Sequence, residues 1–161
     1  MVEDMDHPAV AAAEDLLAGM LDRLGVDAEV TSYGVEEASV LRIETEDAAG
    51  LIGRGGQSLE ALQFLVNRAL RHRYEDSPRI VVDIEGYRER HREQLVQKAR
   101  EIADRVRRWG DPVTLEPMNA FDRRVVHMAL RDDKDVETSS PPEADERHRK
   151  PITIRIREEP A

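Results

Sequence analysis

The chain has 161 residues, 40% hydrophobic and 36% charged, with a net charge of −10 at neutral pH, a size that suits one or two small domains with their own cores. It contains no cysteine, which excludes a disulfide framework, a thiolate metal site and a cysteine nucleophile. No apolar run approaches the ~18 residues that span a bilayer, and the acidic start Met1-Val2-Glu3-Asp4-Met5-Asp6 lacks the basic-then-apolar layout of a signal peptide, so the chain reads as cytoplasmic.

The charge is polarised. Residues 1–50 hold 13 acids against only Arg23 and Arg42, whereas residues 54–108 hold 13 bases against 9 acids. Local potential, more than the total, decides whether an anion binds. Many of these charges need do no more than solvate helix faces. Aromatic residues are few (two Phe, three Tyr, one Trp), so stacking of bases on an aromatic platform is not expected to be the main mode of any nucleic-acid binding.

After a tail, residues 1–7, Val10, Ala13, Leu16, Leu17, Met20, Leu21 and Leu24 recur at three- and four-residue spacing, predicting a helix over 8–24 that Gly25 ends. Val26, Ala28 and Val30 alternate with polar residues as in a half-buried strand. A turn is expected at 34–37 and a second strand over 38–45, with Leu41 and Ile43 on one face. A single helical turn, 48–52, leads into Gly53-Arg54-Gly55-Gly56, and Leu59, Leu62, Leu65, Val66, Ala69 and Leu70 define the buried stripe of a helix from Ser58 to about Arg71. A third strand covers 79–85.

Gly86 opens a second segment. Residues 87–109 predict a long charged helix with Leu95, Ala99, Ile102, Val106 and Trp109 along one side, followed by a short extended stretch at 113–116. Pro117 suits the first position of a helix over 117–131. Residues 132–150, with Pro141-Pro142 and a mixed-charge run, read as a polar loop, flexible over about 138–150. Ile152, Ile154 and Ile156 alternate in a last strand. The fold class is α+β.

Two constellations carry chemistry. In the first, glycines at Gly53 and Gly56 permit positive φ and close backbone approach, Arg54 supplies a cation, and the helix behind them presents free N–H groups and a positive dipole end to a phosphate. A plain turn between helices is the bland reading. A Rossmann-type or Walker-type loop is excluded, because neither G-x-G-x-x-G after a strand nor a terminal Gly-Lys-Ser/Thr is present. In the second, Arg123 and His127 are neighbours on one helix face. With Met118, Phe121, Val125 and Ala129 taken as the buried side, the pair is expected nearly opposite, facing solvent.

The αββααβ order with G-x-x-G between its two middle helices resembles a K-homology (KH) domain of type II over residues 8–86. That resemblance implies a backbone clamp on about four nucleotides of single-stranded RNA or DNA, with Ile52, Gly53, Arg54, Gly55, Gly56 and Gln57 at the contact. Gly55 stands where many members carry a second basic residue, which implies a modest grip. The R-x-x-x-H pair resembles a small nucleic-acid-binding domain of helices on a short sheet, here residues 87–161, implying a second basic face at Arg123, Arg124 and His127. Together with the run Glu116-Pro117-Met118-Asn119-Ala120-Phe121-Asp122-Arg123-Arg124-Val125-Val126-His127, the two domains resemble the Jag family, the SpoIIIJ-associated RNA-binding proteins of bacteria (also called KhpB or EloR). Many members begin with a further N-terminal domain and linker, of which no counterpart is expected here. The resemblance implies RNA binding tied to gene regulation, cell elongation or division, and pairing with a small KH-only partner protein. No cofactor, metal or membrane insertion is expected. The rival reading is an interaction scaffold that dimerises through the KH domain. Catalysis is not expected, since His72, His91 and His127 sit in no nucleophile, metal or paired-carboxylate pattern.

Overall fold

The structure, a computed structural model, describes residues 7–35 and 38–158, and the chain divides into two compact units between Arg88 and Glu89. The tail expected over 1–7 and the turn expected at 34–37 lie partly outside the described residues.

Unit 1 runs α1 (Pro8–Arg23), β1 (Ala28–Val35), β2 (Ala38–Thr45), α2 (Ala48–Ile52), α3 (Gln57–Arg73) and β3 (Ile80–Ile84). Its sheet has the order β1-β2-β3. β1 and β2 form an antiparallel hairpin from Ala28 opposite Thr45 to Val35 opposite Ala38. β3 lies parallel to β2, with Ser39 opposite Ile80 and Ile43 opposite Ile84, so the two helices α2 and α3 serve as the crossover a parallel pair requires. The core joins Leu17 and Leu21 of α1, Leu41 and Ile43 of β2, Leu59 and Val66 of α3, and Ile80, Val82 and Ile84 of β3. Fully burying one such side chain contributes about 1.5–3 kcal/mol. Leu24, expected on the stripe of α1, is exposed, because the helix ends at Arg23 and Gly25 takes a left-handed φ of 72°.

The free edge of β3 is covered by side chains. Asn67 Nδ2 donates to Ile80 O at 2.8 Å and Ile80 N donates to Asn67 Oδ1 at 3.1 Å. Val82 N donates to Gln63 Oε1 at 3.0 Å, and Arg88 Nε donates to Val82 O at 2.9 Å. Two helix side chains and one arginine thereby replace the neighbouring strand that an edge otherwise invites. Arg88 also donates to Gln63 Oε1 at 2.8 Å. Burial pulls its guanidinium below the ordinary value, while Asp83 and Glu60 push the other way.

Unit 2 contains α4 (Tyr87–Trp109, from Glu89 onward), β4 (Val113–Met118), α5 (Ala120–Leu130), β5 (Val136–Ser139) and β6 (Lys150–Ile156). An antiparallel sheet of order β4-β6-β5 carries both helices over a core of Ala99, Ile102, Ala103, Val106, Leu115, Val126, Leu130, Val136, Ile152 and Ile154. Three expectations need correction. Trp109, read as part of the buried side of α4, is 67% exposed, and Ala103 takes its place inside. Pro117 does not start a helix: it lies in β4, and α5 begins at Ala120 behind the N-cap Asn119, whose Oδ1 accepts from Asp122 N at 2.8 Å. Residues 132–150 hold β5, which pairs with β6 from Val136 opposite Ile156 to Ser139 opposite Thr153. The turn beyond β5 is organised by Asp145, whose Oδ1 accepts from the backbones of Arg147 and Arg149 at 2.9 and 2.7 Å. Pro151 sits in the central strand, a position normally closed to proline. It is tolerated because the β4–β6 register shifts between Leu115 and Met118, where no ladder bond needs its missing N–H.

Candidate nucleic-acid interface

The glycine loop is built by a change of helix. α2 ends at Gly53 (φ 70°, ψ −177°), whose N–H donates to Ala49 O at 3.1 Å. One tight turn over Arg54–Gly56 follows, closed by Gly56 N donating to Gly53 O at 3.3 Å, and α3 begins at Gln57. Gly53, Gly55 and Gly56 all adopt left-handed φ, at 70°, 58° and 78°. A side chain at Gly53 would run into Ser58 Oγ, and one at Gly56 would stand 3.1 Å from Tyr87 Cε1. At Gly55 there is open space. Glycine therefore serves close packing at two positions and backbone conformation alone at the third.

Arg54 and Gly55 are exposed, Ile52, Gly53 and Gln57 are half-buried, and Gly56 is buried. No side chain caps the start of α3, so its first-turn N–H groups stand next to the Arg54 guanidinium. Glu60, in the same turn, is the nearby acid. A groove of about 300 Å³ continues along α3 to β3, lined by Gln63, Phe64, Asn67, Arg68, Arg71 and Arg79 among others. Phe64 is 66% exposed. Sequence periodicity placed Asn67 and the arginines off the apolar stripe but gave no sign that they converge on β3.

In unit 2 the helix phase differs from expectation. The buried stripe of α5 is Asp122, Val126 and Leu130, while Phe121 is 60% exposed. Asp122 is an acid in the core position that the sequence reading gave to Phe121. It is accommodated because His91 Nε2 of α4 lies 3.0 Å from its Oδ2, and a buried carboxylate requires such a partner. His91 therefore ties two helices together instead of sitting on a solvated face. With the stripe rotated by one residue, Arg123 and His127 flank the core on the sheet side and do not lie opposite it. Arg123 Nη1 donates to Met118 O at 3.0 Å, and His127 Nδ1 lies 2.6 Å from Thr138 Oγ1. His127 is exposed and Arg123 half-buried. Arg124 does not join them: it points to the α4 side, beside Arg92 and Phe121.

No group of three or more potential metal-ligating side chains occurs among the described residues, and none of their helices is long and apolar enough to cross a membrane.

The family model for the R-x-x-x-H domain, named for its spaced arginine and histidine, matches residues 93–151. The RNA-binding protein KhpB of Clostridium symbiosum is 36% identical over 146 residues, which cover 91% of this chain and 65% of that protein. The RNA-binding protein KhpB of Lactiplantibacillus plantarum is 31% identical over 135 residues, 84% of this chain and 42% of the relative. The RNA-binding protein KhpB of Bacillus subtilis is 31% identical over 150 residues, 92% and 71% respectively. The chain spans less than two thirds of the length of the first two of these relatives. On these matches the chain belongs to the KhpB family, the Jag family whose motifs its sequence resembles.

Proposed function

We propose that the chain is a cytoplasmic single-stranded RNA-binding protein in which unit 1 is a type II KH domain that grips the sugar-phosphate backbone at Gly53–Gly56, and unit 2 adds a second grip at Arg123 and His127. It binds and does not catalyse. A role as a post-transcriptional regulator linked to cell elongation or division rests on the family resemblance. The observation that carries the reading is the loop: three left-handed glycines bring bare backbone and an exposed Arg54 to the uncapped start of α3. A phosphate held there gains charge-assisted hydrogen bonds from the guanidinium and the helix N-terminus. The element order α1-β1-β2-α2-α3-β3, with β3 parallel to β2, supports the KH reading, and the relatives' names support RNA as the partner.

The test is a variant carrying Arg54→Asp and Gly55→Asp. A side chain at Gly55 enters open space, and aspartate tolerates a left-handed backbone better than most residues, so the fold survives. Its affinity for a fluorescein-labelled single-stranded oligouridylate, measured by anisotropy, is expected to fall about ten- to a hundredfold. Unchanged affinity removes the loop from RNA binding. The matching oligothymidylate, run as a competitor, reports whether single-stranded DNA is also taken.

A second reading draws on the sheet edges. β3 is covered, while β1 pairs with β2 alone, so β1 is the edge unit 1 offers to a strand of another protein, such as a small KH-only partner. A complex that co-purifies and survives nuclease supports that scaffold role.

A further inference from the structure

We propose that the groove between α4 and α5 is a base-stacking subsite for single-stranded RNA, distinct from the Arg123/His127 flank; the proposal rests on the RNA-binding reading and extends it. The groove, about 370 Å³, brings Arg92, Val96 and Arg100 of α4 against Phe121, Arg124 and Met128 of α5. Arg123 and His127 occupy the opposite flank of α5, where they bond to β4 and β5.

Charge and exposure both point to a ligand. No carboxylate lines the groove. Glu89 meets Arg92 at 3.1 Å from the rim, and the other acids nearby on α4, Glu93, Glu101 and Asp104, line the neighbouring depression. Arg100 and Arg124 have no ion-pair partner among the described residues. Phe121 is 60% exposed and Met128 45%, although the same helix buries an acid, Asp122, one position away. Single exposed apolar residues need no explanation. A flat ring and a thioether about two turns apart, ringed by three guanidinium groups, form a surface suited to a flat, negatively charged ligand.

A nucleotide is such a ligand. Its base stacks on a phenylalanine ring or a guanidinium plane, and its phosphate takes charge-assisted hydrogen bonds from arginine. An acidic peptide shares the charge. A specific protein interface, however, needs about 800 Å² on each partner, far more than this short floor offers. The groove fits one or two bases.

The test uses the full chain, a labelled single-stranded oligouridylate and three variants. Phe121→Ala is expected to weaken binding about five- to thirtyfold with the salt dependence unchanged, because stacking releases no counterions. Phe121→Tyr keeps the ring and restores affinity. Arg100→Ala with Arg124→Ala is expected to lower the slope of log affinity against log salt by about 1.4, from two lost phosphate contacts at about 0.7 each. Phe121 and both arginines project into the groove and leave the core intact, so the melting temperature serves as the control for folding. If Phe121→Ala binds like the wild type while Arg54→Asp with Gly55→Asp loses binding, the groove proposal is overturned and the RNA reading stands. If Phe121→Ala leaves RNA affinity alone but loses a nuclease-resistant protein partner, the groove is a protein-docking surface and the proposal is again overturned. A wild-type chain that does not bind the oligonucleotide removes both.

Discussion

Arg107 stands among three carboxylates: it hydrogen-bonds Asp104 and Asp133 and lies 3.4 Å from Asp135. Asp133 is the least exposed of the three, and its Oδ1 also accepts from the backbones of Asp135 and Val136 at 3.0 and 3.3 Å, fixing the start of β5. Burial alone pushes the Asp133 carboxyl up. Hydrogen bonds from Asp135 N, Arg107 and Val136 N outweigh it and hold the carboxyl below the ordinary aspartate value. A group whose folded-state pKa is depressed stabilises the fold above its unfolded pKa, and that contribution disappears as pH falls through the folded value. Asp133→Asn keeps an acceptor but loses the charge, so we expect a loss of about 0.5–1 kcal/mol at neutral pH. In urea titrations at a series of pH values, the gap to wild type should stay full above pH ~5, narrow near the unfolded value of about 3.9 and close below it. A gap that persists undiminished into strong acid refutes the assignment. The same scale shows why sequence misplaced Phe121. Hydropathy assigns a phenylalanine to the core, and only the distant partner His91, 31 residues away, makes burial of Asp122 acceptable.

Among the elements, β3 shows how side chains finish a sheet. Asn67 meets Ile80 with both a donor and an acceptor, as the backbone of another strand would. Asn67→Ala strands a part-buried N–H and C=O together. It is expected to destabilise unit 1 by about 1–3 kcal/mol and to uncover an edge that can pair with other chains. Thermal melts with and without light scattering check both effects; a melt that matches wild type means water replaces the amide fully. Elements whose signal is local were legible in the sequence. The stripes of α1 and α3, the alternation of β2 and β6, and the glycine loop all follow from neighbouring residues. β5 was not legible, because Val136 is its single buried residue and its pairing with β6 spans a long connection. The start of α5 was misread because proline suits a first helical turn as well as an irregular strand. Only the register shift between β4 and β6 decides between them.

For the molecule as a whole, RNA has to approach a chain of net charge −10, with 13 acids in its first 50 residues. Total charge repels a polyanion, so attraction must come from clustered arginines acting within a Debye length of about 8–10 Å. Each cluster touches few phosphates and binds weakly alone. Two grips on one chain change that through effective concentration, provided a single strand reaches both. Affinity should then depend on RNA length in a particular way. For very short oligouridylates the wild type and the Arg123→Ala with His127→Ala variant should bind alike through the glycine loop. As the strand lengthens, the wild type should gain roughly a hundredfold once it engages both units, while the variant gains only in proportion to the number of overlapping sites. Anisotropy titrations across an oligonucleotide ladder at fixed salt distinguish the two curves. Parallel curves mean that Arg123 and His127 take no part in holding the strand, and that the glycine loop, with whatever the α4–α5 groove adds, accounts for all of the binding.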